Sequence, residues 1–145
     1  VGSEMCIRDR WTFHDEHAKH ADRTSCFDSQ ASETCAGVLR SIQGQVAGDL
    51  VVAQCVGPQF ESPSEIDALE RLGAHVVGMT LGPEQRLVSE TGVAHVSLPC
   101  SSNWAAGRTP GDPDAEINHE AVDETASQMR DLVSSCILAL LEDIN

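Results

Sequence analysis

Leu50-Val51-Val52-Ala53-Gln54-Cys55-Val56, followed by Gly57-Pro58-Gln59-Phe60-Glu61-Ser62-Pro63-Ser64-Glu65, is the stretch that decides the fold. The first run is apolar and rich in β-branched residues, the pattern of a strand covered on both faces. The second carries a helix start, with Ser62 at the N-cap, Pro63 at the first helical position and Glu65 at the third. Ile66, Leu69 and Leu72 continue that helix, and Gly73 ends it. Val76-Val77-Gly78-Met79 then reads as a short strand.

Downstream, Pro83–Thr91 predicts a second helix with Gly92 past its end, and Val93–Leu98 a third strand. Pro99–Glu116 is a Gly/Pro/Ser-rich loop, and Asn118 caps a long helix whose inner face runs from Val122 to Leu141. Upstream, the polar segment 11–48 contains one amphipathic stretch, Ser32–Ile42, with Cys35, Val38, Leu39 and Ile42 at helical spacing. Val1–Arg10 has no periodicity and resembles translated adapter sequence, so it is set aside as an artefact. The reading frame is therefore expected to be truncated at its start. Strand, helix, strand, helix, strand, helix predicts an α/β fold with a mostly parallel sheet flanked by helices. The chain divides into 1–10, 11–48 and 49–145, and its 145 residues are enough for one domain.

Composition excludes several classes of function. Nine Lys and Arg face 23 Asp and Glu, a net charge of −14, which opposes a nucleic acid or an anionic membrane as partner. Aromatics are 3%, too few for a base-stacking platform. No apolar run approaches the ~18 residues of a membrane span, and the expected location is cytoplasmic. Six cysteines contain no C-x-x-C pair, which leaves reduced, buried or incidental thiols as the expectation.

Parallel sheets place ligands beyond the carboxyl ends of their strands, here Gly57–Ser62, Met79–Gly82 and Pro99–Gly107. Gly57-Pro58-Gln59-Phe60-Glu61-Ser62, Gly73-Ala74-His75-Val76-Val77-Gly78-Met79-Thr80 and Ser102-Asn103-Trp104-Ala105-Ala106-Gly107 resemble motifs of the trimeric purine nucleoside phosphorylase and methylthioadenosine phosphorylase family. Their order and spacing match, as does Asn118-His119-Glu120. The resemblance covers residues 49–145, the later part of a family chain about twice as long; Thr12-Phe13 and His20 weakly resemble the family's middle region. It implies a partial nucleoside-phosphorylase fold, a homotrimer when full-length, a purine nucleoside as substrate, inorganic phosphate as co-substrate, and neither metal nor organic cofactor.

The resemblance also implies roles. Asn103 reaches N7 and O6 of the purine, and Glu61 accepts from the N1–H edge. Phe60 covers the base, Met79 lies under the ribose, Thr80 gives its hydroxyl and backbone N–H to phosphate, and His119 meets the ribose 5′ group. Five of the six have a structural alternative: Asn103 as a turn former, Glu61 as a first-turn helix charge, Met79 as core, Thr80 as a capping hydroxyl, His119 as an exposed first-turn residue. Asn103 with Glu61 looks like the 6-oxopurine type, accepting inosine or guanosine. Methylthioadenosine or methylthioinosine phosphorolysis, or an inactive fragment of the same fold, are the alternatives. Ser102 in place of Thr and the long Arg108–Glu116 loop depart from the family pattern.

His14, His17 and His20, with Asp15 and Glu16, have a spacing that would line one side of a helix and bind Zn²⁺ or Ni²⁺. No aliphatic stripe accompanies them, so a solvated polar segment is expected and no metal site.

Overall fold

The computed structural model describes residues 11–117, 124–125, 127 and 129–142. At its centre lies a strand–helix–strand unit. β1 (Val52–Gln54) runs parallel to β2 (Val76–Gly78), with Val52 opposite Val76 and Gln54 opposite Gly78. The ladder extends by one residue each way: His75 N–H donates to the Val51 carbonyl (2.9 Å) and Cys55 N–H to the Gly78 carbonyl (2.8 Å). Val51 N–H, left without a backbone partner, donates to the His75 ring at Nδ1 (2.9 Å).

The crossover helix α2 (Pro63–Arg71) begins as its sequence dictates. Ser62 Oγ accepts from Glu65 N–H, and Ser62 N–H donates to the Glu65 carboxylate at 2.7 Å, a closed capping box. α3 (Leu81–Thr91) follows β2 and packs back on β1, ending at Gly92 in the left-handed conformation. Its start lies two residues before the one expected at Pro83.

α1 (Ser29–Gln43) and α4 (Arg130–Glu142) form a second packing unit. Asp28 caps α1 by accepting from Ala31 N–H (2.8 Å), so the helix starts three residues ahead of the amphipathic stretch that predicted it. Cys35 and Cys136 are fully buried where the two helices meet. The expected cap at Asn118 and the inner-face residues Val122 and Ala126 lie outside the described residues.

Two strand expectations are corrected. Leu50–Val56 contributes only Val52–Gln54 to the sheet, and these residues are half-buried rather than covered on both faces. Val93–Leu98 forms no strand; the sheet of the described residues has two strands. The His95 carbonyl accepts from Asp28 N–H (2.7 Å), so this backbone is tied to the start of α1 rather than to β2. Val96 and Leu98 face a cavity instead of a neighbouring strand. The α/β class with a parallel sheet stands.

Residues 11–28 form no helix, so the three histidines do not line one. The segment is a strap across α3. Phe13 N–H donates to the buried Glu90 carboxylate (2.7 Å), and Lys19 Nζ donates to the Glu90 carbonyl. Arg23 Nε donates to Gln85 Oε1 (2.7 Å), Gln85 Nε2 donates to the Cys26 carbonyl (3.0 Å), and the Arg86 guanidinium sits 5.0 Å from the Trp11 ring. The Phe13 N–H, then the Thr12 hydroxyl, hold the Glu90 carboxyl below its usual range. Among the described residues no group of three His, Cys, Asp or Glu is arranged to hold a metal ion. No helix of the described residues is long and apolar enough to cross a membrane.

Candidate active site

The carboxyl ends of β1 and β2 and the 95–105 segment enclose one open cavity of about 900 Å³. Phe60, Glu61, Met79, Thr80 and Asn103 all line it. The sequence separates these residues into three motifs, and the fold brings them to a single concavity. His119 lies outside the described residues.

Each residue reaches the cavity for a local reason. The turn after β1 passes through Gly57 at φ +65°, and a Cβ there would overlap the Met79 sulfur. Glycine thus lets the Gly57–Glu61 turn lie directly against Met79. Phe60 and Glu61 follow, one residue before the Ser62 cap. Cys55 is half-buried beside Glu61, and its thiol is pushed up to about 11 by burial first, then by the Glu61 carboxylate it faces. It therefore stays a neutral thiol, and it donates to the Ala53 carbonyl at 3.9 Å.

Thr80 is the N-cap residue of α3, yet its side chain makes no capping bond. The capping alternative for Thr80 does not hold. The Gly82 N–H is taken instead by Gln54 Oε1 (2.7 Å), whose Nε2 donates to the Cys55 carbonyl (2.8 Å).

Asn103 is exposed on its loop. Ser102 Oγ donates to Asn103 Oδ1 (2.9 Å), while Asn103 Nδ2 donates to the Trp104 carbonyl (2.8 Å). Both ends of the amide are thus engaged with neighbouring residues, and Nδ2 carries a second N–H beyond the one given to Trp104. The loop is latched to α2: Arg108 donates to Asp67 (2.8 Å) and Glu70 (2.6 Å), and Gly107 lies against Pro63. That pairing holds the Asp67 carboxyl below its usual range and the Arg108 guanidinium above its own.

Sequence reasoning missed Gln54 and the Arg108 latch. A lone amide in the apolar run Leu50–Val56 was the available signal for the first. An Arg opposite two acids one turn apart on α2 was a weak signal for the second.

The sequence profile of the phosphorylase superfamily matches residues 5–142. A protein of Methanopyrus kandleri named probable S-methyl-5′-thioinosine phosphorylase is 31% identical over 126 residues, covering 87% of this chain and 49% of its own. One of Thermococcus kodakarensis named probable 6-oxopurine nucleoside phosphorylase is 30% identical over 142 residues, covering 92% and 52%. Purine nucleoside phosphorylase 1 of Bacillus subtilis is 26% identical over 113 residues, covering 78% and 40%. The chain spans about half the length of the curated relatives it matches.

Proposed function

The chain belongs to the phosphorylase superfamily, and from that membership we propose that it carries part of a site for phosphorolysis of 6-oxopurine nucleosides. The products are the free base and ribose 1-phosphate. The observation that supports this reading is the convergence of Phe60, Glu61, Met79, Thr80 and Asn103 on one cavity.

In the reaction a phosphate oxygen bonds to the sugar C1′ as the bond from C1′ to the purine breaks. The bonding pair leaves with the purine, whose N7 and O6 gain negative charge. Asn103 Nδ2 is the donor for that charge, and Ser102, by donating to Oδ1, keeps Nδ2 as the donating end. Glu61 accepts from the N1–H edge, Phe60 covers the base and Met79 supports the ribose. Thr80 gives phosphate its hydroxyl and N–H, and His119 meets the 5′ end. No metal or organic cofactor takes part, and the working assembly is a cytoplasmic homotrimer serving purine salvage. The 145-residue chain by itself does not turn over inosine. Among the described residues lining the cavity the one Lys or Arg is Arg108, and Asp67 and Glu70 already hold it.

A second reading, S-methyl-5′-thioinosine as the nucleoside, is favoured by the name of the Methanopyrus kandleri relative. It differs only at the 5′ end, and kcat/KM for the two nucleosides compared side by side separates the readings.

The test uses the longest chain the reading frame encodes, with saturating phosphate. Asn103→Ala should lower inosine turnover by about 10²–10³, the usual loss for one donor to developing charge. Asn103→Asp should abolish inosine turnover while adenosine turnover holds or rises, because the carboxylate repels O6 but accepts from a 6-amino group. If Asn103→Ala stays within a few-fold of the parent, Asn103 is a turn residue and the proposed site is wrong.

A further inference from the structure

The start of α3 contains an arrangement that the reaction outlined above does not use. A capping side chain ordinarily accepts from the N–H of the second or third helical residue. In α3 these positions are Gly82 and Pro83. Pro83 has no N–H, and the Gly82 N–H is already bound to Gln54 Oε1 at 2.7 Å. Thr80 therefore sits at an N-cap with no amide left to cap. Glu84 N–H is satisfied by the Thr80 carbonyl (3.2 Å), which removes the next donor along.

Gln54 is held in this role from both ends of its amide. Nε2 donates to the Cys55 carbonyl at 2.8 Å, so a flipped amide would set NH₂ against the Gly82 N–H and is excluded. Its backbone is fixed opposite Gly78 in the sheet, which aims the side chain from the end of β1 across to α3. Gly82 is as tightly fitted: a Cβ there would come within 2.7–2.9 Å of the Gln54 side chain.

We propose that Gln54 is a positioning residue for the phosphate side of the site: it caps α3 in place of Thr80 and so leaves the Thr80 hydroxyl available to the anion. The role of Thr80 toward phosphate rests on the function proposed above; the capping by Gln54 does not. With Gln54 removed, the Thr80 hydroxyl turns onto the Gly82 N–H, as an ordinary capping Thr does, and phosphate loses a donor.

The test has two arms. In the longest chain the reading frame encodes, Gln54→Met should raise the KM for phosphate about tenfold, the effect of one hydrogen bond to a charged group, with the inosine KM within about twofold. Gln54→Glu gives a readout that a merely structural role would not move. Its carboxylate repels phosphate near pH 8, whereas the protonated carboxyl repeats the amide pattern of one acceptor and one donor. Its phosphate KM relative to the parent should therefore fall as pH is lowered from about 6 through the ordinary carboxyl range at about 4.3, with Gln54→Met flat over that range. Equal rises in both KM values, or an unchanged phosphate KM, overturn the proposal.

The second arm needs no turnover. In the 145-residue chain the Gly82 amide should exchange slowly with solvent and become fast in Gln54→Met. Gln54→Ala, which removes the acceptor altogether, serves should the Met variant not fold. Equal exchange in parent and variant overturns the capping role. If the parent shows no phosphorolysis, the proposed function falls, and the amide exchange alone decides the role of Gln54.

Discussion

α2 and α3 both start with a hydroxyl residue and a proline, yet the two hydroxyls are used in opposite ways. Ser62 is bound into its own helix by the capping box, its N–H and its hydroxyl both engaged with Glu65. Thr80 is answered from elsewhere, by an amide on β1, and keeps its hydroxyl uncommitted among the described residues. A helix that caps itself satisfies its backbone but has no side chain to spare. A helix capped by a neighbour depends on tertiary structure for its first turn and retains a polar group for a ligand. The two starts differ in where proline stands: at the first position it removes an N–H that needs no partner, at the third it removes one that a cap would use.

Gly82→Ala should break the contrast most strongly. The new Cβ displaces Gln54 from Gly82, so the cap is lost and the close fit strained, a destabilisation of about 1–3 kcal/mol. Pairing it with Gln54→Ala, which removes the overlapping atoms, should recover part of the loss in a denaturant titration. Strictly additive effects would show that the two side chains do not meet. Ser62→Ala comes next: it should cost about 1 kcal/mol and leave the phosphate KM unchanged, because that hydroxyl serves only its helix. A phosphate effect as large as that of Gln54→Met would erase the distinction between the two starts.

The smallest effect is a pH dependence confined to α2. The backbone N–H of Ser62, then its hydroxyl, hold the Glu65 carboxyl below its ordinary 4.5. A lowered carboxyl gives stability that is fully present above the ordinary value and disappears as pH falls through the folded one. Urea midpoints of parent and Glu65→Ala should therefore differ at pH 7 and converge as pH falls through the lowered carboxyl range. A gap that persists in acid would assign the effect to helix propensity rather than to the carboxylate.

The self-contained start was also the one legible in the sequence. Ser62, Pro63 and Glu65 are neighbours, so the chain spells out the capping box. Gln54 lies 28 residues from Gly82, and its partner follows only from the fold. The same distinction separates other successes from failures. The apolar runs at Leu50–Val56 and Val76–Met79 announced a parallel pair, though only three residues of each entered it. Val93–Leu98 is also mostly apolar yet forms no strand, and its His95 carbonyl is bound to Asp28 at the start of α1. The strap over α3 was unreadable, since Glu90 is an acid on a helix until Phe13 donates to it across 77 residues. Of the six site residues singled out, five line one cavity, and the sixth, His119, lies outside the described residues.

The meeting of α1 and α4 has a practical consequence. Cys35 and Cys136 are sealed where the helices touch, the Cys136 thiol donating to the Cys35 carbonyl at 3.8 Å, and burial pushes the Cys35 thiol further from reactivity. Cys100 is exposed, while Cys26 and Cys55 are partly covered. The five thiols of the described residues thus form a graded series for an alkylating reagent. Cys100 is modified on contact, Cys26 and Cys55 as the loops around them open, and the last two only when the helices part. Counting adducts by mass over time turns the chain into its own clock of opening, with no probe added and no residue changed.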